Sequence, residues 1–368
     1  MHPSYAQRCS DNLFILHKLI NIAMNKNWCN LSVFIDMSKA FDKLWIDGLL
    51  IKMHKLGISG NILNWISSFL NDRCCTVSFN GAESDIYSCA NGVPQGSCLG
   101  PILFLIMMHD IPTPKGNSWL LSFADDNTLS CIGRTVDEVT SNAQRALNVL
   151  DSWCKTWGLV INATKTKAIL FTKKYKVTPI DLFFQGYPIE FVPHVKYLGV
   201  WFDKGYNLVK NTTEVINKAK KRISLLKCLA RYPWCNKMES LVLFYKNVIR
   251  SIIDFGSILY ENASKKILGK LNQIQYLSLK ICAGCYLGSS LDGLEVICNV
   301  TPLDIHLQEV NSNYFSSLLW QPRCCMSFLP DAIQVENKRS VNRTKVLDEL
   351  KDIMTFNSLS LMMDLSLD

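Results

Sequence analysis

Two adjacent aspartates, Asp125 and Asp126, constrain what this chain can fold into more than any other feature of the sequence. Apolar side chains flank them on both sides: Leu120, Leu121 and Phe123 before, and Leu129, Cys131 and Ile132 after. The intervening Ala-Asp-Asp-Asn is typical of a tight β-hairpin turn, which would bring both carboxylates into one small volume. Since like charges repel, a cation is expected between them, and Mg²⁺ prefers carboxylate oxygens. An ordinary surface turn is the alternative.

A third carboxylate, Asp36, ends a short apolar segment at residues 31–35 that is predicted to be a strand. A carboxylate at the end of an apolar strand is costly unless it is solvated or binds a ligand. Together with Asp125 and Asp126, it could complete a site for two Mg²⁺ ions of the kind that supports in-line phosphoryl displacement. A plain strand-end or helix-capping aspartate is the alternative.

A glycine-rich stretch, Gly-Val-Pro-Gln-Gly-Ser-Cys-Leu-Gly-Pro, occupies residues 92–101, between Asp36 and the aspartate pair. Its three glycines and two prolines favour a rigid loop with little side-chain bulk, which lets a flat or phosphorylated ligand approach the backbone closely. The Gly-Lys-Ser/Thr of a Walker A loop is absent from it. A plain loop that caps the following helix is the alternative.

The positive charge of the chain is concentrated in one segment. The formal net charge is +8, and residues 210–231 carry seven basic side chains against the single acid Glu214: Lys210, Lys218, Lys220, Lys221, Arg222, Lys227 and Arg231. A basic cluster of this kind indicates a polyanion such as nucleic acid, and a solvated helix face is the alternative.

The remaining composition indicates a folded, reduced protein. At 48% hydrophobic residues, the chain can bury a sizeable core. Its fifteen cysteines, exemplified by Cys98, Cys131 and Cys282 in apolar segments, are interpreted as small hydrophobes rather than a disulfide framework. No signal peptide and no apolar run of membrane-spanning length is apparent, so we expect no membrane partner and a soluble protein of the nucleus or cytoplasm.

Hydrophobic periodicity predicts a mixed α/β region, about 30–203, followed by a helical region, about 208–320. In the first region we expect helices at 11–25, 49–56 and 62–70, a strand pair at 74–79 and 86–90 around Asn80-Gly81, a helix opened by the Thr135–Glu138 capping box, and short strands to about 203. In the second we expect helices at 209–231, 237–255, 264–283 and 302–319.

The motifs, taken in order, resemble those of reverse transcriptases. Residues 34–42 (Phe-Ile-Asp-Met-Ser-Lys-Ala-Phe-Asp), 92–97 (Gly-Val-Pro-Gln-Gly-Ser) and 123–126 (Phe-Ala-Asp-Asp) are similar to motifs A, B and C. Ala-Phe-Asp and Pro-Gln-Gly-Ser are most similar to the enzymes of non-LTR, LINE-type, Jockey-like retrotransposons. Residues 157–166 resemble motif D, and Tyr197-Leu198-Gly199-Val200 resembles motif E, the primer grip.

This resemblance implies an α+β polymerase right hand: an antiparallel palm sheet with packed helices, then a helical thumb. The implied parts are a residual fingers segment or leading helix at 1–30, a palm at 31–203, a thumb and connecting region at 208–320, and a C-terminal segment at 321–368 that we expect to be poorly ordered. Only 35 residues precede Asp36, so we expect the fingers to be largely missing and the chain to be truncated at its N-terminus.

The resemblance also assigns roles to residues near the three carboxylates. Asp36 and Asp125 would bridge two Mg²⁺ ions, for which Mn²⁺ could substitute, with Asp126 beside them and a backbone carbonyl from Met37. Phe41 would be the steric gate that crowds a ribose 2′-hydroxyl and favours deoxynucleotides. Its alternative is a core phenylalanine.

Further roles fall on residues later in the chain. Gln95 and Gly96 would lie against the incoming nucleotide and its template base. Lys165 would be a general acid toward the pyrophosphate leaving group, or else an ordinary surface lysine. The primer grip would be Tyr197, Leu198 and Gly199, and the template–primer backbone would contact Lys218, Lys220, Lys221 and Arg222.

The function that the resemblance implies is RNA-directed DNA polymerisation. An RNA template, a DNA primer and a dNTP would be the partners, and nucleotidyl transfer to the primer 3′-hydroxyl would use two Mg²⁺ ions. A catalytically inactive retrotransposon remnant that binds nucleic acid is the second hypothesis. An RNA-dependent RNA polymerase is a third, which shares the carboxylates but fits poorly with Phe41 and the Pro-Gln-Gly loop.

Overall fold

The computed structural model describes residues 8–174, 181–232, 237–285 and 288–320. The C-terminal segment 321–368, predicted to be poorly ordered, lies outside these ranges. Residues up to Ser317 belong to one compact unit. A second unit begins at Leu318, and only the end of the last helix is described in it.

The helices are α1 (Cys9–Asn25), α2 (Ile46–Lys55), α3 (Asn61–Leu70), α4 (Gly100–Met108), α5 (Val136–Thr156), α6 (Val209–Leu229), α7 (Met238–Phe244), α8 (Ser251–Asp254), α9 (Lys265–Cys282), α10 (Leu291–Ile297) and α11 (Leu303–Trp320). A π-helical stretch, Tyr245–Arg250, joins α7 to α8, and a 3₁₀ helix follows at Ser257–Asn262.

The strands are β1 (Cys29–Asp36), β2 (Arg73–Cys75), β3 (Ser78–Phe79), β4 (Ala82–Glu83), β5 (Tyr87–Cys89), β6 (Ser118–Phe123), β7 (Asp126–Gly133), β8 (Lys167–Phe171), β9 (Phe183–Phe184), β10 (Tyr187–Pro188), β11 (Glu190–Phe191), β12 (His194–Tyr197) and β13 (Val200–Asp203).

A five-stranded sheet, ordered β11-β8-β1-β7-β6, forms the centre of the fold. Its central strand β1 pairs antiparallel with both β7 and β8, and β11 joins the β8 edge in parallel. Alternate side chains of β1 face opposite sides of the sheet. Leu31, Val33 and Ile35 lie in the core with the apolar face of α5, and Phe34 packs against Tyr197 on the other side.

Helix α1 packs against the sheet and also contacts the helical part of the chain. It contacts β1, β6, β7 and the 3₁₀ helix. The hydroxyl of Tyr314 in α11 donates a 2.7 Å hydrogen bond to Oδ1 of Asp11 in α1. The ring of Phe14 lies edge-on to the rings of Tyr314 and Phe315. The first and last helices of the unit are therefore held together directly.

The predicted mixture of a sheet with packed helices is confirmed, and most predicted elements occur within a few residues of their expected bounds. The Asn80-Gly81 turn joins β3 to β4, and β2 pairs with β5 further out. The capping box is present, because the Thr135 hydroxyl accepts the Glu138 N–H at 3.2 Å. The predicted helix at 237–255 contains the unexpected π-helical stretch, and neither α10 nor the 3₁₀ helix was predicted.

The cysteines divide into two groups. Cys131 and Cys282 are buried, as expected of small hydrophobes, whereas Cys98 is exposed. The prediction for Cys98 was wrong, because the residue lies in the loop before α4 rather than in the apolar helix that follows. No helix in the described ranges combines the length and apolar character needed to cross a membrane.

Candidate active site at the end of the central sheet

The β6–β7 hairpin brings the aspartate pair next to Asp36. Asp126 is the first residue of β7, where it is paired with both Asp36 in β1 and Phe123 in β6. The turn between the strands is only Ala124-Asp125, so the predicted four-residue turn is shorter than expected. Ala124 has a φ of 52°, a left-handed conformation unusual for a residue with a Cβ. The strand register therefore places Asp36 at the end of β1 directly opposite Asp126 at the start of β7. Asp125 lies in the turn between β6 and β7.

The three carboxylates influence one another electrostatically. The pKa of Asp126 is raised above its ordinary value, first by partial loss of hydration and then by the negative charges of Asp125 and Asp36. The side chain of Asp126 remains exposed, so its loss of hydration is incomplete. A cation bound beside the three carboxylates would reduce the repulsion between them.

Asp36 is held in place by the chain around motif D. Its backbone carbonyl accepts the Asn162 N–H at 2.8 Å, and its own N–H donates to the Thr166 hydroxyl at 3.4 Å. The Lys165 ammonium lies 3.8 Å from Asp36 Oδ2. Met37 forms an isolated antiparallel bridge with Ile161. The structure thus brings Met37 and Lys165 to the same strand end as Asp36.

The donor set fits a hard divalent cation in its chemistry. Carboxylate oxygens, which the strand register gathers at one end of the sheet, are the ligands that Mg²⁺ or Mn²⁺ prefers. Across the described ranges, however, no three His, Cys, Asp or Glu side chains converge closely enough to enclose a metal ion by themselves. Backbone carbonyls, water or substrate phosphates would have to supply the other ligands.

The glycine-rich loop is pinned against the turn that follows Asp36. Gly92 N–H donates to the Leu44 carbonyl and Val93 N–H donates to the Phe41 carbonyl, both at 2.8 Å. Gly92 has a φ of 85°, and a Cβ there would lie 2.5 Å from the carbonyl oxygen of Asp42. No other residue fits this position without moving the backbone.

The predicted nucleotide-contacting residues lie along this pinned loop and turn. Phe41 is partly buried and stacks on Phe104, with ring centroids 4.3 Å apart. Gln95 is exposed, and its amide donates to Asp42 Oδ1 at 2.8 Å. Gly96 is exposed with a φ of 87°. The loop is therefore joined to the turn after Asp36 at two points, through Val93 to Phe41 and through Gln95 to Asp42.

The motif E residues form the tight β12–β13 turn. Tyr197 is buried, whereas Leu198 and Gly199 have positive φ values of 43° and 84°. The Tyr197 ring lies 5.4 Å from that of Phe34 in β1, which ties this turn to the central sheet.

The basic helix α6 faces the motif E turn across a cavity of about 680 Å³. Lys218, Lys221 and Arg222 line the cavity together with Gly199 and Val200. Lys220 is exposed on the same helix but does not line the cavity. Three of the four predicted basic contacts thus line one cavity with Gly199 of the predicted primer grip.

Sequence reasoning missed two residues that shape the site. Arg73 in β2 donates to the carbonyls of Leu70, Asn91 and Gly92 at 2.8, 3.0 and 2.6 Å, so it braces the start of the glycine-rich loop. Asp42 accepts the Gln95 amide. The sequence could have indicated Asp42, because it is the second carboxylate of motif A. No sequence pattern around Arg73 indicates its role.

The structure thus places carboxylates at the ends of paired antiparallel strands and describes a pinned glycine-rich loop and a basic helix, as the motifs predicted for a nucleic-acid polymerase. A sequence model of the family described as "Reverse transcriptase (RNA-dependent DNA polymerase)" matches residues 2–202. The chain belongs to this family.

Curated relatives agree with this assignment. The RNA-directed DNA polymerase from mobile element jockey of Drosophila melanogaster is 27% identical over 353 residues, covering 91% of this chain and 37% of that protein. The probable RNA-directed DNA polymerase from transposon X-element of the same organism is 27% identical over 279 residues, covering 74% and 30%. The predicted resemblance to Jockey-like retrotransposon enzymes is confirmed. The chain spans about a third of the length of these relatives.

The likeness to one solved structure is weak. The structure of apo telomerase from Candida tropicalis has a TM-score of 0.40 and 13% identity, over 82% of this chain and 54% of that chain.

Proposed function

We propose that this chain is the polymerising part of a reverse transcriptase, transferring nucleotides from dNTPs to a primer 3′-hydroxyl on an RNA template. The observation that carries the proposal is the register that pairs Asp36 with Asp126, with Asp125 in the adjoining turn. Family membership supports it independently.

We assign the metal-binding role to Asp36, Asp125 and Asp126, with the Met37 carbonyl. The pKa of Asp126, raised first by partial loss of hydration and then by the charges of Asp125 and Asp36, supports this assignment, because a bound cation would offset both effects. When bound there, two Mg²⁺ ions, or Mn²⁺ in their place, would supply activation of the attacking hydroxyl and stabilisation of the leaving oxygen.

The protein side chains then orient the reactants. Lys165 Nζ, held 3.8 Å from Asp36 Oδ2, would donate a proton to the pyrophosphate leaving group. Phe41, supported from behind by Phe104, would present its ring edge to the sugar of the incoming nucleotide. Gln95 and Gly96 would lie against the base pair, and the pinned loop would keep this surface rigid.

The central sheet with α2 to α5, within residues 31–203, would serve as the palm, and the helices at 208–320 as the thumb and connecting region. Helix α1 would be the leading helix before the palm. The primer terminus would lie between Tyr197, Leu198 and Gly199 on one side and the basic face of α6 on the other. Lys218, Lys221 and Arg222 support this placement, since they line the cavity beside Gly199. Lys220, which lies outside the cavity, would contact the phosphate backbone of the template–primer at another point.

The decisive experiment is primer extension on an RNA template with the purified chain, compared with Asp125→Asn. Because this change removes one of the carboxylate charges while keeping side-chain size, we expect incorporation to fall by more than about a hundredfold. Asp85→Asn is the matched control, because Asp85 is an exposed aspartate in the β4–β5 connection. Extension that survives Asp125→Asn at the rate of the control would contradict the metal assignment.

The same purified chain also distinguishes an active polymerase from the second hypothesis, an inactive remnant that binds nucleic acid. Template–primer binding without any dNTP incorporation, at any Mg²⁺ or Mn²⁺ concentration, would favour a nucleic-acid-binding remnant. The basic cavity supports binding in either case, so binding alone does not distinguish the two.

A further inference from the structure

A pair of cysteine thiols lies on the short ribbon formed by β2 and β5. The sulfur atoms of Cys75 and Cys89 are 3.4 Å apart. Cys89 is paired directly with Arg73, two residues before Cys75, so both thiols lie on the same face of the ribbon. Cys75 is exposed and Cys89 is partly exposed. Small solutes can therefore reach both sulfurs.

The two sulfur atoms lie close enough for a small movement to join them. Both residues are free thiols, and a disulfide bond needs a sulfur–sulfur distance of about 2 Å, so the atoms must approach by roughly 1.4 Å. The ribbon is short, with three residue pairs. Cys74, by contrast, is paired with Ser88 and faces the opposite side of the ribbon.

The ribbon leads directly into the glycine-rich loop. Arg73 donates to the carbonyls of Asn91 and Gly92, only a few residues after Cys89. A covalent link between Cys75 and Cys89 would fix the end of β5 to β2. Only the two residues between Cys89 and Gly92 would then separate the cross-link from the loop. Motion of the loop backbone would then be reduced.

We propose that Cys75 and Cys89 form a reversible disulfide with a two-electron oxidant such as hydrogen peroxide, and that this cross-link stiffens the loop at residues 91–93. One thiolate attacks the peroxide oxygen, which gives a sulfenic acid and hydroxide. The second thiol attacks that sulfur, so the S–S bond forms and water leaves. Overall, two thiols and one peroxide give one disulfide and two waters, and an external thiol reverses the step.

The thiol environment sets the conditions for the reaction. The pKa of Cys75 is raised above its ordinary value, mainly because the hydrogen bond between the Cys75 and Cys89 sulfurs favours the protonated thiol of Cys75. Since the thiolate is the nucleophile, oxidation should become faster as the pH increases through the alkaline range.

The test uses the full chain carrying Cys74→Ser and Cys98→Ser, which removes the two nearest exposed thiols in sequence. After peroxide treatment, cleavage at Arg73 and Glu83 separates Cys75 from Cys89, so a disulfide appears in the mass spectrum as two joined peptides. Adding Cys75→Ser to the same background gives the matched control. We expect the joined peptides only when both cysteines are present, and their loss after treatment with dithiothreitol.

Hydrogen exchange tests the second half of the proposal. We expect slower exchange in the peptide that contains residues 91–93 after oxidation, with no change in the Cys75→Ser control. Failure to join Cys75 to Cys89 would overturn the proposal, as would a cross-link that leaves exchange of this peptide unchanged. Neither readout requires nucleotide incorporation, so the result is independent of the proposed polymerase function.

Discussion

The Phe41 side chain is proposed to contact the incoming nucleotide, and it also stacks on the ring of Phe104. If the Phe41 ring excludes a ribose 2′-hydroxyl, Phe41→Val should allow ribonucleotide incorporation while dNTP incorporation continues. The stacked pair would also be lost, at a cost of about 1–2 kcal/mol of unfolding free energy. Single-nucleotide extension with dNTP and rNTP in parallel measures the ratio.

Phe104→Leu is the control for Phe41→Val, because it loosens the same stack but keeps the Phe41 ring. It should reduce stability without removing sugar selectivity. Unchanged discrimination in Phe41→Val would return Phe41 to the role of a core residue. Efficient ribonucleotide incorporation by the unmodified chain would favour the RNA-dependent RNA polymerase hypothesis instead.

His17 in α1 is a buried histidine that the fold keeps neutral. The Asn21 amide donates to its Nε2 at 2.9 Å, so Nδ1 carries the proton and faces the Tyr206 hydroxyl. Burial, and secondarily the charge of Lys18, lowers the pKa of His17 from 6.5 to about 3. In the unfolded chain His17 therefore binds a proton below pH 6.5, whereas in the folded chain it binds one only near pH 3.

Stability from this residue is therefore complete above pH 6.5 and is lost as the pH falls toward 3. At about pH 5 the loss should be about 2 kcal/mol of unfolding free energy. Urea unfolding at neutral pH and at about pH 5 measures it. His17→Gln lacks the titrating group, so its stability should change less between the two conditions. Equal changes in both proteins would show that His17 does not titrate as described.

Helix α6 has a buried apolar face and an exposed basic face. Its apolar side chains pack inward, and its basic side chains remain exposed: Val215, Ala219, Ile223 and Leu226 are buried, and Lys218, Lys220, Lys221 and Arg222 are exposed. Sequence periodicity predicted this helix, but the cavity beside Gly199 depends on the packing of α6 against β13.

Salt dependence tests the basic face of α6. Replacing Lys221 or Arg222 by Gln should weaken template–primer binding, and each lost phosphate contact should reduce the slope of log affinity against log salt by about 0.7–0.9. Lys227→Gln is the matched control, since Lys227 is an exposed lysine in the last turn of α6 outside the cavity. Identical slopes for all three variants would identify the basic face as merely solvated.

Elements with a strong local signal could be predicted, and those fixed by distant contacts could not. The Asn80-Gly81 hairpin and the capping box at Thr135 follow from a few adjacent residues. The pairing of Asp36 with Asp126 joins strands far apart in sequence, so its register came only from the structure. The role of Lys165 came from the family resemblance, and Arg73 had no sequence signal at all.

At the scale of the whole molecule, the contact between α1 and α11 joins parts of the chain that the sequence suggested were separate. The predicted boundaries at 30, 203 and 208 stay predictions. The Tyr314–Asp11 hydrogen bond nevertheless links the first helix to the helical region, and both lie in one compact unit. Local patterns could not reveal this contact, because its partners are 303 positions apart.

Removing the hydroxyl in Tyr314→Phe should lower the unfolding free energy by about 1.5–3 kcal/mol, the range for hydrogen bonds to charged groups. Tyr187→Phe is the control, since Tyr187 is 58% exposed. Denaturant unfolding followed by circular dichroism and by tryptophan fluorescence should give one coincident transition in each protein. Separate midpoints for the two probes would contradict the single unit.

The same contact has a consequence for the newly made chain on the ribosome. Asp11 and Phe14 are synthesised 303 and about 300 residues before Tyr314, which at roughly 5–20 residues per second is a delay of about 15–60 s. During that time the apolar residues of α1, which are almost completely buried in the fold, lack part of their native cover. We therefore expect the nascent chain to bind chaperones until α11 has been synthesised.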